Sequence, residues 1–325
     1  MRKFDLSITI PAYNAERTLS RAIESALKQK DLHIEILIIN DGSSDSTKMI
    51  AEKYSAKYDN IKVINRTNHG LYQTRAYGFQ HSLGEFVCSI DSDDYIDENA
   101  YSGIIPFMRD HDIDVYEFGY RRVDEKCNVL HEVIYPSKSL NCKEAILSLL
   151  NKKECSCSNW NKIYKNTLFQ GINFDEPVRC FEEDMLINLK AYKKIERYFI
   201  SDSVYYNYMV SQNSITTSRR NKGYVNIMYS WEFILKECMN LDNEIQRIAA
   251  VNYCARAAYS YCVLTNLAEN KNEYSWIREK FFDIYKEYDV RHFDYNSMSK
   301  RRKVMISLYV INSDLCRFAF RLFIK

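Results

Sequence analysis

Phe86-Val87-Cys88-Ser89-Ile90-Asp91-Ser92-Asp93-Asp94 is an apolar run that ends abruptly in three carboxylates. A short apolar segment of this kind reads as a buried strand, and the acids fall where that strand runs out into a loop. Successive strand residues alternate faces, so Asp91 and Asp93, two apart, can point the same way. Two convergent carboxylates form half of an oxygen cage for a hard cation such as Mg2+ or Mn2+, which completes its shell with water and substrate phosphates. Without context the same pattern is an ordinary acidic turn, so the surrounding chain decides.

Upstream, Leu6-Ser7-Ile8-Thr9-Ile10 is a β-rich run closed by Pro11. Between Thr18 and Gln29, apolar residues recur at helical spacing through Leu19, Ala22, Ile23, Ala26 and Leu27. Ile34–Ile39 is a second strand, broken by Asn40-Asp41-Gly42-Ser43-Ser44-Asp45, with Ser44 or Asp45 as the N-cap of a helix over Ser46–Lys57. A third strand, Ile61–Ile64, and a helix over Leu71–His81 lead to Gly84 and the run entering Asp91. Four such units predict a parallel sheet with helices on both faces, whose ligands bind outside the carboxyl ends of the strands. Asn14, Glu16, Asp41, Asp45, Asp91 and Asp93 all fall at or after such ends. That placement favours a ligand site over a turn.

At 325 residues the chain has room for one catalytic domain and a substantial extension. A net charge of +2 from 45 basic and 43 acidic residues gives no global field of the kind that marks a nucleic-acid binder. The ten cysteines form no Cys-Xaa-Xaa-Cys and have no His pair at zinc-finger spacing, which argues against a structural zinc. No apolar run reaches about 18 residues, so no spanning helix is expected. With no basic-plus-apolar leader over Met1–Ile10, the chain reads as cytosolic with reduced thiols.

Ser7-Ile8-Thr9-Ile10-Pro11-Ala12-Tyr13-Asn14-Ala15-Glu16, then Ile38-Ile39-Asn40-Asp41-Gly42-Ser43-Ser44-Asp45, then Gly84-Glu85-Phe86 leading into Asp91-Ser92-Asp93-Asp94 resemble family 2 glycosyltransferases with the GT-A fold. Trp160-Asn161-Lys162-Ile163-Tyr164-Lys165, Glu182-Glu183-Asp184 and Asn213-Ser214-Ile215 are similar to its bacterial capsule and lipopolysaccharide-type members, so the resemblance covers residues 5–217. The implied fold is α/β: a Rossmann-like, mainly parallel sheet flanked by helices. The transferase domain is expected over 1–218, with its nucleotide-sugar half over 1–120 and its acceptor half over 121–218.

The resemblance also implies roles. Pro11, Ala12, Tyr13, Asn14 and Glu16 would hold the base and ribose, and Asp41 would accept a hydrogen bond from uracil, for which a carboxylate is well suited. Asp91, Ser92 and Asp93 match the family's Asp-Xaa-Asp, where one acid approaches ribose and metal and the other ligates the metal on the diphosphate. That Mg2+ or Mn2+ offsets charge on the departing nucleoside diphosphate. Arg75, in Thr74-Arg75-Ala76-Tyr77-Gly78, either reaches the nucleotide or is an exposed helix arginine.

A sugar hydroxyl is a poor nucleophile until a base takes its proton. Glu182, Glu183 and Asp184 precede the helical pattern Met185, Leu186, Leu189 and Tyr192, so a carboxylate there sits near a helix start. The family's Glu-Asp pair aligns with Glu183-Asp184; Asp184 is the expected base and Glu183 the second choice. Direct attack assisted by one base inverts the anomeric centre. Trp160 either stacks on an acceptor sugar or packs the sheet, and Asn161 and Lys162 are expected at the acceptor or phosphate. Where relatives often carry an arginine four residues before Asn213, this chain has Met209, so either Arg219 or Arg220 supplies the charge or the loop binds phosphate without it.

From 219 to 325 the pattern is helical, through Val225–Met239, Glu244–Leu267 and Tyr274–Tyr288, with Tyr253, Tyr259 and Tyr261 expected to pack between helices. The aromatic, cationic tail Leu308–Lys325 follows Lys300-Arg301-Arg302-Lys303. It reads equally as a helix on an anionic membrane surface, a helix docked on the protein, or a homo-oligomer contact. The expected protein is an inverting transferase carrying a hexose-type sugar from a UDP-sugar to a glycan or lipid-linked acceptor in surface polysaccharide synthesis. It would work in the cytoplasm or peripherally on the inner face of the plasma membrane. The alternative is a catalytically inactive scaffold of the same fold serving a membrane or partner glycosyltransferase, which would be expected to have lost a motif carboxylate; none is missing. A Rossmann oxidoreductase is disfavoured because no Gly-Xaa-Gly-Xaa-Xaa-Gly follows the first strand.

Overall fold

A computed structural model describes residues 4–177, 182–210, 221–267, 271–292, 300–314 and 316. Its first part alternates as the periodicity predicts: β1 (Phe4–Ala12), α1 (Leu19–Leu27), β2 (Ile34–Asp41), α2 (Thr47–Lys57), β3 (Ile61–Arg66), α3 (Leu71–His81) and β4 (Gly84–Ser89). The middle adds β5 (Tyr95–Ile96), α4 (Ile104–Asp110), β6 (Val115–Val123), β7 (Val129–Val133), β8 (Lys138–Leu140), α5 (Cys142–Asn151), β9 (Lys162–Lys165), α6 (Glu183–Tyr192) and β10 (Tyr198–Met209). Helices α7 (Asn221–Cys238), α8 (Asn243–Leu267), α9 (Ser275–Glu287) and α10 (Lys300–Ile311) follow. Among the described residues, no helix is long and apolar enough to cross a membrane.

One sheet runs in the order β3-β2-β1-β4-β9-β6-β10-β5, with β7 on β6 and β8 on β10. The first four strands are mutually parallel. β2 is buried at every residue, as a strand with neighbours on both edges and helices on both faces must be. β9 is inserted antiparallel between β4 and β6, and β10 lies parallel to β6. The expected mainly parallel character therefore belongs to the nucleotide-sugar half, and the second half is mixed. Strand order reverses between β1 and β4, so the ends of β1, β2 and β4 open onto the crevice where α/β sheets bind ligands.

Each face of the sheet carries its own core. On one side α1 lays down Leu19, Ala22, Ile23 and Ala26 beside Ile104, Ile105 and Met108 of α4. Each large apolar side chain so buried is worth about 1.5–3 kcal/mol. On the other side Tyr72, Ala76 and Phe79 of α3 join α5 and α6, and the same core continues into Trp231 of α7, Tyr253 of α8, Phe281 of α9 and Tyr309 of α10. The C-terminal helices thus extend the core behind the site.

β4 begins at a glycine for a steric reason. A Cβ on Gly84 would stand 2.6 Å from the Ser7 backbone nitrogen and 2.8 Å from the Leu6 carbonyl carbon, with no flexible side chain able to yield. Gly84→Ala is expected to destabilise the protein by about 1–3 kcal/mol, read as a lower urea midpoint. Gly103→Ala, where an added Cβ meets nothing within 4 Å, should leave the midpoint unchanged.

Candidate active site

The acidic turn after β4 is built so that two of its three carboxylates face out. The Asp94 N–H donates to the Asp91 carbonyl at 3.0 Å, closing the turn. Asp94, left without a role by the sequence, is 1% exposed. Its carboxylate accepts the Tyr206 hydroxyl at 2.8 Å and the Met209 N–H at 2.8 Å. The same Tyr206 oxygen accepts the Asp91 N–H at 3.1 Å, so one phenol on β10 bolts both ends of the turn to the sheet. Burial, then the charges of Asp93 and Asp91, push the Asp94 carboxyl well above the ordinary range.

Asp93 reaches solvent, and its backbone carbonyl accepts the Arg21 guanidinium at 2.5 Å. The protein wall around its carboxyl, and then the negative charge of Asp91, raise it to about 6. Two carboxylates crowded in this way disfavour ionising together, a conflict that a divalent cation relieves. Among the described residues, no cluster of three or more His, Cys, Asp or Glu side chains encloses an ion. Asp91 and Asp93 are hard oxygen donors, and a hard cation held by two carboxylates takes its remaining oxygens from phosphate and water.

Arg75 is neither an exposed helix arginine nor, in this structure, a group held out towards a nucleotide: its side chain is 1% exposed. One terminal nitrogen pairs with Asp91 Oδ1 at 2.5 Å and the other with Asp184 Oδ1. Burial alone would lower its affinity for the proton, but Asp184, Asp91 and Glu183 more than offset that and hold it cationic. The guanidinium thus joins the turn after β4 to the start of α6, 109 residues away in sequence from Arg75.

The position of Arg75 is set from β2. Asp41, at the end of that strand, accepts the backbone N–H groups of His69 and Gly70, each at 2.9 Å. These residues lead directly into α3, which carries Arg75. Asp41 is itself buried, with both carboxylate oxygens engaged by these backbone donors. Gly42, at φ 75°, permits the turn; a Cβ there would meet the Asn68 backbone nitrogen at 2.8 Å.

The loop from Pro11 to Glu16 is laced to the start of α2. The Asn14 N–H donates to Ser43 Oγ at 3.0 Å, and Asn14 Oδ1 accepts the Ser44 N–H at 2.9 Å. The Glu16 N–H donates to Asp45 at 3.1 Å, and the Glu16 carboxylate accepts the Ser46 N–H at 3.1 Å. The side chains of Asn14 and Glu16, expected to touch the nucleotide, are spent on the neighbouring loop and shape its floor. Pro11 and Ala12 are buried, and Tyr13 stands out at 54% exposure.

At the start of α6, Asp184 holds Arg75 with one oxygen and lies 3.4 Å from the Asn159 N–H with the other. Among the described residues, Glu183 forms no ion pair. Burial, then the charge of Asp184, raise Glu183 to about 8. Asp184 is raised too, by burial first and by Asp91, against the pull of Arg75.

The residues expected at the acceptor are placed differently. Trp160 is stacked on Tyr206 at 4.6 Å between ring centres and on Tyr208 at 5.6 Å, and is 7% exposed, which is the sheet-packing alternative. Asn161 and Lys162 are fully buried. Lys162 pairs with Glu117 at 3.3 Å and donates to the carbonyls of Ser156 and Ser158, while Asn161 donates to Glu117 and the Phe118 carbonyl. Buried and fully engaged, both hold the 156–161 loop in place of the expected acceptor contact. Asn213, Ser214, Ile215, Arg219 and Arg220 lie outside the described residues, as does Leu315 and most of the tail, 317–325.

A doubly wound sheet with carboxylates at its switch point, and a buried arginine tying them to an acidic helix start, is an α/β architecture of the transferase class. The sequence profile of the family described as glycosyl transferase family 2 matches residues 7–172, and the chain belongs to that family. It is 30% identical over 216 residues to the uncharacterized glycosyltransferase EpsJ of Bacillus subtilis, an alignment covering 65% of this chain and 62% of EpsJ. It is 24% identical over 356 aligned positions to the cholesterol galactosyltransferase of Borreliella burgdorferi, covering 100% of this chain and 99% of that one. The crystal structure of Staphylococcus aureus TarS 1–349 in complex with UDP-GlcNAc shares the fold at TM-score 0.67 and 21% identity, over 98% of this chain and 91% of TarS. Several curated relatives are longer: the chain spans between 25% and 64% of four of them.

Glu183 gives the site a pH signature. A carboxyl whose folded value lies above its unfolded one, about 4.3 for glutamate, binds its proton more tightly in the fold. The cost to stability is absent below the unfolded value and grows as pH rises through about 8. Glu183→Gln should therefore leave Tm unchanged near pH 4 and raise it by about 2 °C or more at pH 9, measured by thermal melts of the ligand-free protein.

Proposed function

We propose that this protein is an inverting glycosyltransferase that moves a hexose-type sugar from a UDP-sugar to a hydroxyl of a glycan or lipid-linked acceptor in surface polysaccharide synthesis. The observation that carries the reading is the single guanidinium of Arg75 pairing with both Asp91 and Asp184. Arg75 brings the Asp91–Asp94 turn and Asp184 within one side chain of each other, which supports reading the first as the donor site and the second as the proton acceptor. The family membership supports the reaction class. The TarS complex with UDP-GlcNAc, on the same fold, and the galactosyltransferase that matches from end to end support a UDP-hexose donor.

In this reading Tyr13, at the tip of the β1 loop, covers the base, and Asp41 accepts the uracil N–H. Asp93 with Asp91 would hold Mg2+ or Mn2+, which when bound would offset charge on the departing diphosphate. Asp184 accepts the proton of the acceptor hydroxyl as its oxygen attacks the anomeric carbon. The bond from that carbon to the phosphate oxygen breaks on the opposite face, and its electron pair leaves with UDP. One displacement inverts the centre and needs no protein nucleophile. Arg75 keeps Asp184 oriented and, by its charge, favours the ionised carboxylate that the step requires. Glu183, beside it, is the second candidate for the proton.

The test is release of UDP from a panel of UDP-sugars, with and without Mn2+. Asp93→Ala and Asp184→Ala should each lower release by about 100-fold or more, the range over which general acid–base groups act, with far-UV circular dichroism unchanged. Chelation of divalent ions should abolish release, and added Mn2+ should restore it. Full activity in either variant overturns that residue's role.

A further inference from the structure

The residue immediately before the acidic pair is conformationally awkward. Glu182 sits at φ 63° and ψ 11°, the left-handed region, and makes no side-chain cap to α6. For a residue with a Cβ this backbone costs about 1–2 kcal/mol, so the surroundings must hold it. Two cations do. The Glu182 carboxylate accepts Arg256 of α8 at 2.9 Å and Lys152 at 3.0 Å on the same oxygen. Lys152 is itself the left-handed C-cap residue of α5, at φ 53°. The Arg256 guanidinium lies 5.5 Å from the ring centre of Trp231, which is fully buried in α7.

The end of α5 and the middle of α8 therefore meet on one carboxylate at the entry to α6. No side-chain cap fixes that entry, so this anchor, together with the Arg75 and Asn159 contacts of Asp184, sets the direction of the first turn. Glu183 and Asp184 occupy that turn. Of the two cations, Lys152 lies within the stretch 7–172 that the family profile matches, and Arg256 of α8, backed by Trp231 of α7, lies beyond it.

We propose that Arg256 is a positioning residue for sugar transfer: through Glu182 it fixes the first turn of α6 and hence the orientation of the Glu183–Asp184 pair. The C-terminal helices are then part of the catalytic apparatus without touching substrate. This rests on the reading of Glu183–Asp184 as the proton-accepting pair. The donor turn has its own anchors, Tyr206 and Asp94, so donor binding should be spared.

The test compares Arg256→Ala, Arg256→Lys, Glu182→Gln and the Arg256→Ala/Glu182→Gln double variant, using UDP-GlcNAc with Mn2+ for release and calorimetry with UDP for binding. Arg256→Ala should slow UDP release about 10-fold or more while UDP affinity stays within about twofold, as misplacement of a reacting group demands. Arg256→Lys should recover part of the rate, and the double variant should be no slower than the worse single one. If Arg256→Ala does not fold, Glu182→Gln breaks the same contact from the other side. Independently of any donor, amide exchange over Glu183–Ile187 should accelerate in the variants, while that over α3 stays unchanged. Unchanged release in folded Arg256→Ala, an equal loss of UDP affinity, additive losses in the double variant, or unchanged exchange over Glu183–Ile187 would each overturn the proposal. Wild-type protein that releases no UDP from any donor faults the functional reading instead, and the exchange result then still decides the role of Arg256.

Discussion

A guanidinium taken out of water costs several kcal/mol unless carboxylates meet it, and Arg75 is met by two from distant parts of the chain. Asp91 arrives at the end of the fourth parallel strand and Asp184 at the start of a helix more than ninety residues later. Neither can be absent without leaving a buried charge uncompensated, a larger cost than the pair's net contribution when intact. The strands up to β4 and the segment that begins α6 are thus locked together by one side chain.

The rest of the site can be read as supports for that lock. Asp41 fixes the chain entering α3 and so delivers Arg75 to its place. Tyr206 and Asp94 fix the turn that offers Asp91. Glu182, clamped by Lys152 and Arg256, fixes the turn that offers Asp184. In the last two cases an inward carboxylate, Asp94 or Glu182, sits one to three residues from the acids proposed to act on substrate, Asp91 and Asp93 or Glu183 and Asp184.

This division explains what the sequence disclosed. The alternation of strand and helix to β4, the helix over Leu71–His81 and the three C-terminal helices follow from local periodicity, and the outward acids stood out because they interrupt it. The supports depend on contacts that periodicity does not encode. Lys162 and Glu117 are direct cross-strand partners between β9 and β6, a pairing no spacing along the chain announces, so Lys162 looked like an accessible cation. Asp94 was indistinguishable from its neighbours because all three belong to one short acidic run. Arg75 did leave a signal: it shares a helix face with Tyr72, Ala76 and Phe79, all buried, and an arginine inside an apolar stripe must have a buried partner. The left-handed Glu182 left none.

The lacing of the β1 loop to the start of α2 bears on thermodynamics as well as shape. Asn14, itself left-handed at φ 49°, and Glu16 are already immobilised by reciprocal bonds to the residues after Gly42. Ordering such side chains at the moment of association would cost about 0.5–1.5 kcal/mol each; here that entropy is surrendered during folding. In the proposed reading, nucleotide affinity and global stability therefore rest on the same preformed order. A change that loosens the Asn14–Ser44 or Glu16–Ser46 contact weakens both together, and a ligand that binds only the folded loop returns stability to the whole chain in proportion to the logarithm of its concentration.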